Sequence, residues 1–210
     1  MTLPRQMTDH GANPHHPEPG ERTLHWHVLM YDDPEVKDLA ERARDQLASL
    51  NGLHMTPPQY LHAAILQAGR ADWFSGRQVQ QMIQTASSQL ADVQPVKVKL
   101  SKIAYYPETI VAPLTPAKEL APVRQAALAA TRTAGQIPAE DEHGWQPHVT
   151  LCANAGSLQS RPLVQALGRR LPEQTVTLRR LSLVVQEGPL LDWNWTTIGS
   201  APLGGQTAWD

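Results

Sequence analysis

Two short segments of the chain carry a histidine in the same local setting. The first reads Tyr60-Leu61-His62-Ala63-Ala64-Ile65, the second Gln146-Pro147-His148-Val149-Thr150-Leu151. Each histidine stands early in an apolar run with the character of a strand. Side chains two apart in a strand share a face, so His62 points with Ala64 and His148 with Thr150. A polar ring in such a run needs a partner or a cavity. A hydrogen-bonded structural histidine is one way to meet that need; a pair of proton-transfer groups is the other. Cleavage of a phosphodiester wants such a pair. One imidazole takes a proton from the attacking water or hydroxyl, the other gives a proton to the leaving oxygen, and an ordinary histidine pKa near ~6.5 allows either role. In-line attack puts nucleophile and leaving group on opposite sides of phosphorus, so the rings are expected from different strands across a cleft. A hydroxyl beside each ring would bond the non-bridging oxygens as they gain charge.

The repeated His-x-Thr-aliphatic pattern resembles the two-histidine (2H) phosphoesterase superfamily, which includes bacterial RNA 2′,5′-ligase/cyclic phosphodiesterases. The second copy matches through Pro147-His148-Val149-Thr150-Leu151. The first matches in Leu61-His62 and Ile65 and departs at Ala64, where the family usually has Thr or Ser. The resemblance implies a bilobal α+β fold: two antiparallel β-sheet lobes related by pseudo-two-fold symmetry, with helices packed outside. It implies His62 and His148 as catalytic residues, with Thr150, Tyr60 and the site of Ala64 facing substrate. For hydrolysis, His148 is assigned as the base and His62 as the acid, the roles exchanging in the reverse direction. The implied substrates are 2′,3′-cyclic phosphates on RNA ends or small cyclic nucleotides, and no metal or organic cofactor is implied. Thr56, Tyr60, Tyr105 or Tyr106 could replace the donor missing at Ala64. Alternatively, that alanine marks a nucleotide-binding module with impaired catalysis.

Other residues offer weaker chemistry. His25 and His27 share a face, and with His54 and His143 they could form a metallohydrolase site, although no Asp or Glu holds a convincing ligand position. Trp145 and Trp193 or Trp195 could stack on a base, or simply pack. Lys97, Lys99, Lys102, Arg179 and Arg180 could line a phosphate cleft or a solvated strand face. His15 and His16 fall in a segment so rich in Pro and Gly that a solvated tail is expected.

The elements that must hold these residues follow from periodicity. Residues 1–22 read as a disordered tail and 23–210 as a single domain. Leu24, Trp26, Val28 and Met30 alternate as a strand. Asp33-Pro34 caps a helix running to Leu50. A strand is expected over Tyr60–Leu66, a helix over Ser75–Leu90, a strand from Val96 to about Tyr106, and a shorter one over Thr109–Leu114. Pro116–Thr133 should be helical, Ala134–Gln146 a polar loop, Pro147–Ala153 a strand and Arg161–Leu171 a helix. Thr175–Gln186 and Asp192–Gly199 should be two long strands joined at Glu187-Gly188-Pro189. Strands and helices mix without regular βαβ alternation, the signature of an α+β fold built on antiparallel pairing.

Composition narrows the function classes. The chain has 210 residues, 41% hydrophobic, enough for one substantial core. With 18 basic and 20 acidic residues its net charge is −2. No global field draws in a long nucleic-acid duplex, and the expected partner is an RNA terminus or a small nucleotide phosphate. A single cysteine, Cys152, rules out an intrachain disulfide and a four-thiolate zinc site. No signal peptide and no apolar run of the ~18–20 residues that span a bilayer are present. A cytoplasmic monomer is the expectation.

Overall fold

The alternation of Leu24, Trp26, Val28 and Met30 with His25, His27 and Leu29 has a direct structural result. These residues form β2 (Arg22–Leu29) and its exit, with the first set buried at 2% exposure or less. The computed structural model describes residues 3–12, 18–136, 144–188 and 194–205. The other strands are β1 (Gln6–Met7), β3 (Leu53–Met55), β4 (His62–Arg70), β5 (Val96–Lys102), β6 (Ala104–Tyr105), β7 (Thr109–Pro113), β8 (His148–Asn154), β9 (Leu158–Gln159), β10 (Arg170–Leu178), β11 (Arg180–Glu187) and β12 (Asn194–Pro202). Four helices accompany them: α1 (Pro34–Leu47), α2 (Gly76–Leu90), α3 (Ala121–Thr133) and α4 (Ser160–Leu167). The fold is α+β, and its strand pairs are antiparallel.

An eight-stranded sheet runs in the order β12-β11-β2-β4-β8-β7-β6, with β3 also paired to β8. It consists of two half-sheets. β12, β11, β2 and β4 form extended ladders with one another, as do β7 and β8, yet β4 meets β8 at one register pair, Ala63 with Val149. β3 and β4 therefore lie along the same edge of β8. β10 pairs with β5 in a separate two-stranded sheet.

Helix starts follow local chemistry. The Asp33 carboxylate accepts the Val36 amide, with Pro34 next in the chain. Ser75 and Gln78 cap each other's backbone at the start of α2. α3 packs against β4 and α2. There the fully buried Trp26 indole N–H donates to Thr131 Oγ1 at 3.1 Å. No described helix is long and apolar enough to cross a membrane.

Four expectations need correction. The strand expected from Val96 to about Tyr106 is β5 and β6, which break at Ile103 and enter different sheets. The strand expected over Thr175–Gln186 is two strands, β10 and β11, which break at Arg179 and enter different sheets. The helix expected to reach Leu171 stops at Leu167, because Gly168 takes φ 70° and the chain turns into β10. Part of the expected tail is ordered: β1 pairs with β9, Met7 is fully buried, and Asn154 Nδ2 donates to the Thr8 carbonyl. His15 and His16 lie outside the described residues, as does most of the Ala134–Gln146 loop.

Replacing Thr131 with valine keeps its shape and leaves the Trp26 indole N–H without a partner. Thr131→Val should lower the unfolding free energy by about 1–3 kcal/mol, read from urea titration.

Candidate active site

Ala63 and Val149 are both fully buried, so their flanking residues face the other side of the sheet. Extending their antiparallel pairing by one residue each way sets His62 opposite Thr150 and Ala64 opposite His148. The four residues form a square around a local two-fold relation, with the two histidines on one diagonal. In a regular ladder such a diagonal spans roughly 7–8 Å. The rings are close enough for a charge on His148 to depress the pKa of His62. The missing hydroxyl at Ala64 is thus missing from beside His148, whereas Thr150 stands beside His62. Ala64 is exposed, as expected for a residue on the face that presents the rings.

The two rings are held alike. His62 Nδ1 bonds the Tyr60 carbonyl at 2.8 Å, and His148 Nδ1 bonds the Gln146 carbonyl at 2.7 Å. A carbonyl only accepts, so in each neutral ring the proton sits on Nδ1 and the basic lone pair on Nε2. The turns that aim these carbonyls differ. Pro57-Pro58 starts a 3-10 turn over Pro58–Tyr60 ahead of His62, and Pro147 precedes His148 directly.

Around His62 stands an aromatic wall. The His27 ring stacks on His62 with centroids 4.2 Å apart and planes 27° apart. Trp195 from β12 lies edge-on to His62 at 4.6 Å, to Tyr60 at 4.7 Å and to His27 at 5.3 Å. Tyr106 lies 5.9 Å from the His148 ring. Trp145 donates its indole N–H to the Ala64 carbonyl at 3.3 Å, and the Arg124 guanidinium lies 5.2 Å over its ring.

Burial pushes His62 down to about 4. The charge of His148 adds to this, and the Tyr60 carbonyl opposes it. Burial also lowers His148, against the pull of the Gln146 carbonyl. His25 is pushed down to about 4 by burial and then by His62; His27 falls well below its ordinary value for the same reasons, with His25 adding to them. Burial disfavours the charged form of all four rings, and a proton on His148 opposes one on His62.

The remaining candidates divide clearly. Two of the proposed substitutes for the Ala64 donor have structural work instead: Thr56 is buried and donates to the Thr150 carbonyl, and Tyr105 donates to the Gly168 carbonyl. Tyr60 and Tyr106 stay near the histidines. His25 Nε2 bonds Thr23 Oγ1 at 2.8 Å, and His54 lies on β3. Among the described residues no three His, Cys, Asp or Glu side chains converge as metal ligands; His143 and Trp193 lie outside them. Lys97, Lys99 and Lys102 belong to β5 in the separate sheet, where Lys99 pairs with Glu173 at 2.7 Å. Cys152 is fully buried, and its thiol is pushed up to about 12 by that burial. Sequence reasoning missed Ser182 and Ser200, whose hydroxyls meet at 3.0 Å. Serines in strands carry no signal until the neighbouring strands are known.

A family model described as the 2′-5′ RNA ligase superfamily matches residues 32–189, a span containing both histidine motifs. No curated protein matches by sequence. Solved structures do match in fold. TT0787 of Thermus thermophilus aligns with TM-score 0.64 at 19% identity over 88% of this chain and all of that one. E. coli LigT complexed with 3′-AMP aligns with TM-score 0.61 at 12% identity over 89% of this chain and 99% of its own. The MHV ns2 PDE domain aligns with TM-score 0.53 at 12% identity over 77% of this chain and 98% of its own.

The buried histidines set a pH dependence. A histidine whose pKa is lower folded than unfolded supports the native state fully above the unfolded value near ~6.5, and that support is lost as pH falls from there toward the folded value. The urea midpoint should therefore drop steadily between about pH 7 and pH 4. His27→Phe, which keeps a ring on His62 and removes one such group, should make that drop shallower.

Proposed function

Because the chain belongs to the 2′-5′ RNA ligase superfamily, we propose that it is a metal-independent phosphodiesterase acting on 2′,3′-cyclic phosphates at RNA ends or on small cyclic nucleotides, with His62 and His148 as its acid–base pair. The observation that carries this reading is the matched tethering of the two rings. Each gives its Nδ1 proton to a main-chain carbonyl two residues earlier and keeps Nε2 as its proton-transfer atom. A structural histidine needs one such bond; two in the same arrangement, on diagonal positions of adjoining strands, suit a phosphorus centre attacked from one side and left from the other. The similar LigT structures hold 3′-AMP, ATP and NADP+, which supports a nucleotide phosphate as the ligand class.

In hydrolysis the base takes a proton from water as the water oxygen bonds phosphorus. The bond from phosphorus to one ribose oxygen breaks, and the acid protonates that oxygen, leaving a phosphate monoester. Thr150 donates to a non-bridging oxygen as charge develops there. Burial lowers the pKa of both rings and so does not separate base from acid; His148 stays the base and His62 the acid, which takes up its Nε2 proton when the anionic phosphate is bound. Trp195 and Tyr60 form the wall on which a base or ribose can rest.

His62→Ala and His148→Ala should each lower turnover of a 2′,3′-cyclic nucleotide panel by about 10²–10⁴-fold. Activity that survives both substitutions sinks the assignment. Ala64 motivates one competing reading, a module that binds nucleotides without cleaving them; tight binding of 3′-AMP with no turnover by the unaltered protein would establish it. Ala64→Thr restores a donor beside His148 and should preserve or raise kcat. The acid limb of kcat/KM should fall below about pH 6.5, because the free-enzyme base titrates below its ordinary value.

A further inference from the structure

A groove of about 560 Å³ adjoins the His62 side of the site, bordered by Leu29, Arg180, Ser182, Thr197 and Ser200 among others. Strand register places it. Leu29 pairs with His62, and one row over Ala64 pairs with His27, His27 with Ser182 and Ser182 with Ser200. Continuing the β2–β11 register by two residues brings Arg180 beside Leu29. His62, Leu29 and Arg180 then form one row across three strands, on the face that carries the histidines. At about 4.8 Å per strand, the Arg180 backbone stands roughly 10 Å from that of His62. That separation is on the scale of one nucleotide unit.

The groove's chemistry is specific. The Ser182, Ser200 and Thr197 hydroxyls both donate and accept, which suits ribose oxygens. Arg180 is exposed and offers the planar fork that grips phosphate oxygens in pairs. Among the described residues neither Arg179 nor Arg180 forms a salt bridge. Asp32 and Asp33 also border the groove, and Asp33 already accepts the Val36 amide. Their carboxylates repel a phosphate and accept from ribose hydroxyls, so the anion belongs at the Arg180 end. A second groove, floored by Leu24, Phe74, Val79 and Val185, is mostly apolar, and nothing in the structure says what fills it.

We propose that the groove beside Arg180 is a subsite for the 5′ side of the terminal nucleotide: Arg180 binds its 5′-phosphate while the cyclic phosphate lies between His62 and His148. The inference rests on the phosphodiesterase reading and gives it a direction, since a chain end or a 5′-phosphorylated nucleotide is then preferred to a nucleoside carrying the cyclic phosphate alone.

Three substrates test this with the full-length protein: a nucleoside 2′,3′-cyclic phosphate, the same compound with a 5′-phosphate, and a dinucleotide ending in the cyclic phosphate. The two that carry the 5′-phosphate should show kcat/KM about tenfold to a hundredfold higher, the scale of a charge-assisted hydrogen bond. Arg180→Gln should collapse that ratio toward one, and Arg180→Lys should restore part of it. Equal kcat/KM for all three substrates, or a preference that survives Arg180→Gln, would overturn the subsite and leave the phosphodiesterase standing. Absence of turnover on all three would instead remove the function on which the subsite depends.

Discussion

The candidate site depends on a single backbone pairing, Ala63 with Val149, where the two half-sheets meet. Everything chemical follows from the parity of strands. A buried residue at the junction sends both of its neighbours to the opposite face, so one pair of small, fully buried side chains orients four site positions at once. A register slip of one residue on either strand would send a histidine into the core and an aliphatic residue toward the substrate. The junction is protected against such slips. Ile65 and Leu151 continue the buried sets of β4 and β8, and both half-sheets are fixed by longer ladders of their own.

The second determinant is desolvation. Four histidines, at 25, 27, 62 and 148, titrate below their ordinary range because burial strips water from each ring, and three of them pack together beside Trp195. Packing neutral imidazoles together costs little, whereas adding a charge to the group is opposed by every neighbour. Such an arrangement takes up a proton readily only where a nearby negative charge offsets it. The wall is also rigid, since stacked and edge-on rings leave His62 few orientations.

Much of this was legible in the amino-acid sequence, for identifiable reasons. The strands at His62 and His148 announced themselves as apolar runs following proline, the helix at Pro34 through its Asp33 cap, the helix at Gly76 through its apolar periodicity, and the likeness of the two motifs through the histidine and the aliphatic residue that each carries. What stayed hidden depended on neighbours distant in the chain. The break between β10 and β11 has neither glycine nor proline at Arg179; its one local trace is a change of phase, from apolar Val176 and Leu178 to apolar Leu181 and Leu183, and that shift does not say which sheet each half joins. β1 is two residues in a segment with turn-like composition, ordered only by its partner β9. The stacking of His27 on His62 requires β2 to lie beside β4, a fact of topology that periodicity cannot supply.

The tethering of His62 and His148 each to its own main chain carries one more consequence. Many acid–base pairs are steered by a neighbouring carboxylate or hydroxyl, and losing that neighbour spoils the tautomer. Here the steering atoms are peptide oxygens at positions 60 and 146, present whatever side chains those positions bear. The proton-transfer hardware is thereby insulated from drift in the lining of the site. Neighbouring side chains, the exposed alanine at position 64 among them, can be exchanged without disturbing how the two rings are held.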